Sequence, residues 1–278
     1  MGPGEHGLKR LIVTADDFGA SESVNQAVEA AHRDGVLTTT SLMVGAPAAA
    51  DAVRRAKTNP GLRVGLHLVV VRGRPVLPVG QVPALVDSAG QFDANLGRAG
   101  VRYFFLPHVR RQLAAEIRAQ FQAFHDTGLQ LDHVNAHNHM HLHPTVLGMM
   151  LSVGREFGLK AVRLPYEPGT GGALKPWTGL MKHRLRRAGI AFNEYLFGIR
   201  DTGAMDSAAL KRIVGALPDG VSEVMLHPAM GPWDGMEPEA AGFRHEDEYK
   251  ALVDAGVSAE IAAAGVELIG FSNLHPQT

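Results

Sequence analysis

Short apolar runs alternate with longer segments of helical periodicity along this 278-residue chain. The runs predict strands at residues 10–15, 37–44, 63–70, 131–136, 161–164, 223–226 and 267–271. The helical patterns lie at residues 22–33, 47–57, 110–126, 145–157, 176–188, 207–217 and 246–264. Such alternation indicates an α/β fold with parallel strands joined by right-handed crossovers. Seven units in this length favour a TIM-like (β/α) barrel, distorted or seven-stranded, over a doubly wound sheet, and no glycine-rich dinucleotide motif follows the first strand.

The composition narrows the class of protein. Lys plus Arg (27) nearly balances Asp plus Glu (28), so no surplus of charge suggests a nucleic-acid partner. Because the chain has no cysteine, any metal site must be built from nitrogen and oxygen ligands. Residues 1–10 lack a signal-peptide core, and no run reaches the roughly 18 apolar residues of a membrane span. We therefore expect a cytoplasmic protein of one domain, residues 1–278, with peripheral membrane contact and a homodimer both left open.

Two connections are longer than ordinary loops, at about residues 72–109 and 229–245. The first carries Tyr103 and Phe104, and the second carries Trp233. Long loops at the functional end of a barrel often form lids or substrate walls. We predict these three aromatic side chains as substrate contacts. The alternative, which composition does not exclude, is that they pack the loops onto the body of the protein.

Polar side chains stand at the carboxyl ends of five predicted strands. They are Asp16, Asp17, His67, His137, Arg163 and His227. In parallel α/β folds these strand ends open onto one rim, where active sites form. Any one of the six could be a turn residue or a buried side chain bonded to backbone, but together they would require five coincidences at the same rim. The sequence therefore predicts a functional site there.

A row of four histidines follows the fourth predicted strand: His137, His139, His141 and His143. Imidazole binds transition metals, and alternate residues of a strand point to the same side. The row can therefore offer one or more ligands to a cation, although its spacing does not show which histidine binds. Adventitious metal binding at the surface is the alternative. We predict His139 and His141 as contacts to the substrate or the metal site, with structural packing along the row as an equal alternative.

Four motifs carry a resemblance to a known family. They are residues 14–19 (Thr-Ala-Asp-Asp-Phe-Gly), 65–68 (Gly-Leu-His-Leu), 137–141 (His-Asn-His-Met-His) and 223–228 (Glu-Val-Met-Leu-His-Pro). In this order, and over nearly the whole chain, the sequence resembles the YdjC-type carbohydrate deacetylases. The resemblance implies a (β/α) barrel with one divalent metal ion, held by Asp17, His67 and His137.

Within that family the chain is most similar to the hopanoid biosynthesis-associated deacetylases of bacteria. Residues 36–38, 41–53 and 132–137 carry this similarity. It implies an N-acetylglucosaminyl substrate that is linked to a hopanoid lipid. One departure concerns Asn135 and the residue after it, Ala136, where many members carry Asp-Ser. A carboxylate that would orient His137 is therefore expected to be missing.

The residue types suit hydrolysis of an N-acetyl amide, which needs an activated water, a stabilised oxyanion and a protonated leaving amine. A divalent cation (Mg²⁺, Zn²⁺ or another first-row ion) supplies the first two. We predict Asp16 as the general base, since Asp17 is committed to the metal, and Arg163 as the group that keeps Asp16 ionised. His227 is the predicted acid for the departing nitrogen.

Three functions are compatible with these residues. The first is deacetylation of an N-acetylated sugar, which is either lipid-linked or a soluble chitooligosaccharide. The second is another metal-dependent barrel activity, that of a phosphoesterase or sugar isomerase, which would be expected to use further carboxylate ligands; only Glu167 stands at another predicted strand end. The third is metal-dependent binding without catalysis, which would need neither Asp16 nor His227.

Overall fold

The computed structural model describes residues 8–169, 175–238 and 240–274. Its strands are β1 (Lys9–Phe18), β2 (Thr39–Leu42), β3 (Arg63–Leu68), β4 (Leu131–Ala136), β5 (Tyr195–Phe197), β6 (Gly220–Leu226) and β7 (Glu267–Ile269). The helices are α1 (Glu22–Asp34), α2 (Ala49–Thr58), α3 (Leu96–Phe105), α4 (Pro107–Asp126), α5 (Pro144–Glu156), α6 (Lys175–Arg187), α7 (Ser207–Gly215), α8 (His245–Leu252) and α9 (Ala255–Ala263). The predicted α/β class and the alternation of strands with helices are confirmed.

The strands form one parallel sheet. Six of them run in the order β4–β3–β2–β1–β6–β5, and β7 pairs with β1 outside this path. Isolated backbone bridges join Val134 of β4 to Val162 and Ala161 to Ala191, so parallel pairing continues beyond β4. The sheet is curled and is compatible with a distorted barrel, but it is not a regular eight-stranded TIM barrel.

The predicted strand at residues 161–164 is reduced to these bridges. The reason is the side chain of Asn193, whose Oδ1 accepts a hydrogen bond from the Leu164 amide at 2.7 Å while its Nδ2 donates to the Leu164 carbonyl at 2.9 Å. Side-chain bonds thus satisfy backbone groups that a neighbouring strand would otherwise pair. Pro165 then removes the next backbone donor. The segment nevertheless points the Arg163 side chain into the protein, where it is completely buried.

The apolar core lies between the sheet and the surrounding helices. In β1, the consecutive residues Leu11, Ile12 and Val13 are completely buried, as expected for a parallel strand that is covered on both faces. Helix α1 begins after Ser21, whose hydroxyl accepts a hydrogen bond from the Val24 amide at 3.1 Å. Because the strands are parallel, their carboxyl ends and the connections that follow them form one rim.

The connection at residues 72–109 is not a loop throughout, because it contains α3. This helix begins after Asn95, whose Oδ1 accepts a hydrogen bond from the Arg98 amide at 2.9 Å. Gly97 and Gly100 lie inside it, and glycine lowers helix propensity by about 1 kcal/mol relative to alanine. The helical pattern was therefore too weak to be predicted.

The single helix predicted at residues 246–264 is divided into α8 and α9. Asp254 lies at the division, and its Oδ1 accepts a hydrogen bond from the Gly256 amide at 2.6 Å, which starts α9 as a separate helix. Within the ranges that the structure describes, no helix has both the length and the apolar character needed to cross a bilayer.

Candidate metal centre and active site

The end of β1 turns two adjacent carboxylates toward the same cavity. Pairing between β1 and β2 shifts register between Ala15 and Phe18, and Asp17 takes a left-handed backbone conformation with φ of 64°. Neighbouring residues of a regular strand point to opposite faces, so this irregularity is what allows both Asp16 and Asp17 to line the cavity. A left-handed non-glycine residue costs on the order of 1 kcal/mol or more and is often found at functional sites.

Asp17, His67 and His137 bring three ligand atoms together. Oδ1 of Asp17 lies 3.2 Å from Nε2 of His67 and 3.3 Å from Nδ1 of His137, and the two ring nitrogens are 3.3 Å apart. This Oδ1 is buried and has no hydrogen-bond partner among the described residues. Ligand atoms around a tetrahedral cation with bonds of roughly 2.0–2.1 Å would be about 3.3 Å apart. The residues therefore fit a divalent metal ion.

Hydrogen bonds orient His67 toward this triangle. Its Nδ1 lies 2.7 Å from Oδ1 of Asn135, so Nδ1 carries the proton and the lone pair of Nε2 faces Asp17. The orientation of the Asn135 amide is itself determined, because its Nδ2 donates to Asp16 at 3.0 Å and the reverse orientation would place two acceptors together. Ser41 completes the network by donating to Asp16 at 2.7 Å.

A carboxylate from the distant rim loop orients His137. Oε1 of Glu237 lies 3.2 Å from Nε2 of His137, which leaves Nδ1 toward Asp17. Burial lowers the pKa of His137, but the carboxylates of Asp17 and Glu237 outweigh burial and raise the pKa to about 10. Burial likewise raises the pKa of Asp17, and the two histidines hold it well below its usual range. The site therefore attracts positive charge, which a divalent cation can supply in place of a proton.

A buried charge network lies beside the triangle. Arg163 donates to Asp16 from Nη1 at 2.5 Å and from Nη2 at 3.0 Å, and it donates to Oε1 of Glu223 from Nε at 2.9 Å and from Nη2 at 2.7 Å. The Thr14 hydroxyl also donates to Oε1 of Glu223, at 2.7 Å. Burial is the largest single effect and raises the pKa of Asp16, but the Arg163 charge, the His67 charge and the hydrogen bonds from Arg163 together outweigh burial and hold that pKa well below its usual range. Asp16 is therefore a carboxylate.

The cavity that contains these groups has a volume of about 820 Å³. His227 lines it at the end of β6, where its amide donates to Oε2 of Glu248 and its carbonyl accepts a hydrogen bond from the His245 ring at 2.6 Å. The backbone of His227 is thus held while its imidazole faces the cavity. The structure therefore brings together the predicted general base, the predicted acid and the three predicted ligands.

The histidine row does not continue the strand as its alternation predicted. β4 ends at Ala136, and His137–Leu142 forms a short 3₁₀ segment in which Asn138 and His139 have φ of 52° and 53°. His139 lines the cavity, and burial, aided by the Arg163 charge, lowers its pKa to about 3. His141 instead points into the body and its Nε2 lies 3.1 Å from the Arg163 carbonyl, so it packs beneath the site rather than contacting a substrate.

The three aromatic side chains that were predicted as substrate contacts do not all line the cavity. Trp233 lines the cavity together with Met236. Tyr103 does not, because it is buried in α3 and its hydroxyl donates to the Val70 carbonyl. Phe104 lies outside the cavity as well, with 48% of its surface exposed. We correct the interpretation of Tyr103 to packing, and we remove Phe104 from the cavity wall.

Four residues of the site had no predicted role: Ser41, Asn135, Glu223 and Glu237. Asn135 was expected to leave His137 without support, whereas it contacts His67 and Glu237 supports His137. A glutamate inside the apolar strand β6 is a usable signal for Glu223, because an ionisable side chain there must find a buried partner. Nothing in the sequence marks Glu237, since its role depends on how a long connection folds.

Comparison with known proteins identifies the family of this chain. A family model described as YdjC-like protein matches residues 10–263. The chain belongs to the YdjC-like family. A relative of this YdjC-like chain in Brevibacillus brevis, named carbohydrate deacetylase, is 33% identical over 266 residues that cover 95% of the chain and 99% of the relative. A carbohydrate deacetylase of Geobacillus stearothermophilus is 31% identical over 267 residues, which cover 95% of the chain and 97% of the relative.

A solved structure supports the fold of the YdjC-like chain. It is described as a putative cellobiose-phosphate cleavage protein of Enterococcus faecalis, and it is 23% identical with a TM-score of 0.78. The match covers 97% of this chain and 100% of the other. At this identity the likeness concerns the fold, which extends over the whole of both chains.

Proposed function

We propose that this YdjC-like chain is a metal-dependent carbohydrate deacetylase that removes the N-acetyl group from an N-acetylglucosaminyl substrate. The observation that carries the proposal is the unpartnered, buried Oδ1 of Asp17 beside two ring nitrogens, directly next to the ionised Asp16. Relatives that match over nearly their full length are named carbohydrate deacetylases. Amide hydrolysis is the reaction class that uses both features, a cation site and a carboxylate base.

Asp17, His67 and His137 would hold the cation. When bound, it would polarise the acetyl carbonyl and lower the pKa of a water molecule in the cavity. Two imidazoles and one carboxylate suit Zn²⁺ or another first-row divalent ion better than Mg²⁺, which prefers oxygen ligands and keeps several waters. We therefore place Zn²⁺ ahead of Mg²⁺ among the candidates.

The other residues supply proton transfer. Asp16 accepts the proton of the attacking water, and Arg163 holds the carboxylate in place through two hydrogen bonds. His227, at the carboxyl end of the neighbouring strand β6, gives a proton to the departing nitrogen. His139 is neutral at working pH because its pKa is lowered to about 3, so its ring can donate one hydrogen bond and accept another from the sugar.

For the sugar's aglycone we propose an apolar group, with the hopanoid lipid as the specific candidate. Its support is the similarity of residues 36–38, 41–53 and 132–137 to hopanoid-associated members, together with Trp233 and Met236 in the cavity wall. A soluble chitooligosaccharide is the competing substrate. Cytoplasmic location and a homodimer stay predictions.

The second enzyme class is less well supported. A phosphoesterase or isomerase would be expected to add carboxylate ligands or a second metal, and Asp17, His67 and His137 form the one candidate cluster found in the described part of the chain. Glu167, the remaining strand-end carboxylate, is used elsewhere, because its Oε2 accepts hydrogen bonds from the Ile199 and Arg200 amides at 3.0 Å.

Acetate release tests the proposal. The purified protein is stripped with a chelator, resupplied with single metals, and assayed on N-acetylglucosamine oligomers and a lipid-linked N-acetylglucosamine. We expect release that requires a first-row divalent ion. Binding of metal without acetate release from any acetylated sugar would favour the non-catalytic alternative. Equal kcat/KM for soluble and lipid-linked sugars would contradict the proposal of an apolar aglycone, but it would not contradict deacetylation.

A further inference from the structure

Six exposed apolar side chains lie on α3, its C-cap and α6, outside the cavity. Their exposed fractions are 60% for Val101, 48% for Phe104, 68% for Phe105, 36% for Leu106, 38% for Trp177 and 47% for Leu180. We refer to these six residues as the apolar patch. Grouped exposed apolar side chains of this size are uncommon on a soluble surface and mark interaction sites.

The two halves of the apolar patch meet at consecutive residues. The indole N–H of Trp177 donates to the Leu142 carbonyl, and the Phe104 ring lies 6.2 Å from the ring of His143. Leu142 ends the 3₁₀ segment that begins at His137, the candidate metal ligand. The patch therefore packs against the end of the segment that begins at this candidate ligand, although its six side chains are not among those that line the cavity.

Basic residues are frequent in the two segments that carry the patch. Residues 96–115 contain four arginines and no acidic residue, and Lys175–Arg187 contains five lysines or arginines and no acidic residue, in a chain whose net charge is −1. Two of these arginines share one buried carboxylate, because Arg98 donates to Asp93 at 2.6 Å and Nη1 of Arg102 lies 3.9 Å from the same side chain. On α6, Trp177, Leu180 and Arg187 follow the spacing of one helical stripe.

We propose that the apolar patch is a docking surface for an anionic lipid bilayer. Exposed aromatic and aliphatic side chains bordered by Lys and Arg are the composition of surfaces that insert shallowly between lipid headgroups. Each basic residue near an anionic leaflet contributes about 1 kcal/mol of attraction. A second copy of the chain fits less well, because a twofold interface would place the patch against itself and bring the two arginine-rich segments together.

Docking in this way would hold the cavity mouth at the membrane, where a lipid-linked sugar is presented. Presentation of a lipid-linked sugar rests on the proposed function, whereas docking on the membrane is argued only from the apolar patch and its basic residues. The two are separable by experiment, because binding to vesicles that carry no sugar does not depend on deacetylation.

Co-sedimentation with vesicles of phosphatidylcholine, with and without phosphatidylglycerol, tests the proposal. We expect binding to the anionic vesicles that weakens as salt is raised. The double variant Phe105→Ser/Leu180→Ser should lower the partition coefficient by about tenfold or more. Arg187→Glu should lower it by about fivefold or more, since about 1 kcal/mol per charge is lost.

Matched controls use exposed residues outside the patch. Val79 and Leu268 are 46% and 38% exposed, so Val79→Ser/Leu268→Ser removes apolar surface elsewhere, and Lys57→Glu reverses an exposed charge elsewhere. Both control proteins should bind vesicles as the unmodified protein does. Circular dichroism and acetate release from a soluble sugar check that Phe105→Ser/Leu180→Ser is folded; if it is not, Leu180→Ser and Arg187→Glu carry the test separately.

Three results would overturn the proposal. The first is an unmodified protein that does not bind anionic vesicles, and the second is a set of control variants that lose binding as strongly as the patch variants. The third is a dimer in sedimentation velocity that Phe105→Ser/Leu180→Ser converts to monomer, without vesicle binding. That result would identify the patch as a contact between two copies of the chain.

Discussion

Arg163 binds Asp16 through two hydrogen bonds, of 2.5 Å and 3.0 Å, and both side chains are buried. Ser41 and Asn135 donate to the same carboxylate at 2.7 Å and 3.0 Å. Four hydrogen bonds therefore favour the charged form of Asp16, and its pKa lies well below the usual range although burial alone would raise it. Such a carboxylate is a weak base, so it suits a reaction in which the water is itself made acidic by a nearby cation.

Replacing Asp16 should separate catalysis from metal binding. Asp16→Asn should retain the metal and lower turnover by about 10²–10⁴-fold, the usual range for a lost general base. Asp17→Asn should instead weaken the metal itself, because it removes the only anionic ligand of the triangle. Metal content and kcat are measured for both, with the exposed Asp126→Asn as control. Equal loss of metal in both variants would contradict this division of roles.

Glu223 should act as a positioning residue through Arg163. Its Oε1 accepts two hydrogen bonds from Arg163 and one from Thr14, and Gln can keep this acceptor whereas Ala cannot. Glu223→Ala should lower kcat by about tenfold or more with little change in KM, and Glu223→Gln should recover most of the loss. If Ala and Gln variants had the same kcat and the same melting temperature, Glu223 would have no positioning role.

Glu237 should strengthen metal binding without touching the metal. It accepts a hydrogen bond from His137 at 3.2 Å, and partners of this kind typically change metal affinity by about 10–100-fold. Calorimetric titration of the stripped protein should show a Kd that is higher by that factor in Glu237→Ala. Glu246→Gln, an exposed change on α8, is the control. An unaltered Kd in Glu237→Ala would rule out the support that we assign to Glu237.

Asp93 should make stability depend on pH. Hydrogen bonds from Arg98 have the largest effect and lower the pKa of Asp93 from 3.8 in the folded protein; burial raises this pKa by less, and the Asn95 amide lowers it further. A lowered folded pKa contributes stability that is present above 3.8 and is lost as the pH falls through the folded value. Urea unfolding should therefore show Asp93→Asn less stable than the unmodified protein near neutral pH, with the difference shrinking below 3.8. A difference that grew in acid would contradict this assignment.

The fold was predictable where periodicity was strong. The alternation of apolar runs with helical segments correctly predicted parallel strands, and with them a shared rim for Asp16, Asp17, His67, His137 and His227. The sequence did not predict that residues 161–164 form only isolated bridges. The side chain of Asn193 takes the place of a partner strand there, and it is about thirty residues away along the chain. A local pattern does not contain that information.

The candidate metal ligands could be predicted from the sequence, but the residues that hold them in place by hydrogen bonds could not. The spacing predicts that histidines two residues apart point to the same side of a strand. The left-handed backbone at Asn138 and His139 ends the strand, so this alternation does not apply. Glu237 and Glu223 reach the site from distant segments, and their roles depend on tertiary contacts. The burial of Tyr103 was not predictable either, because it depends on α3, whose helical pattern is weakened by two glycines.

The most direct test of the central claim is a combined measurement of metal content and acetate release in the unmodified protein and in His67→Ala. We predict one divalent ion per unmodified chain and acetate release from an N-acetylglucosaminyl substrate. His67→Ala should lose both while its circular dichroism spectrum is unchanged, since His67 supplies one of three ligand atoms that lie 3.2–3.3 Å apart. Full metal content and full acetate release in folded His67→Ala would contradict the account.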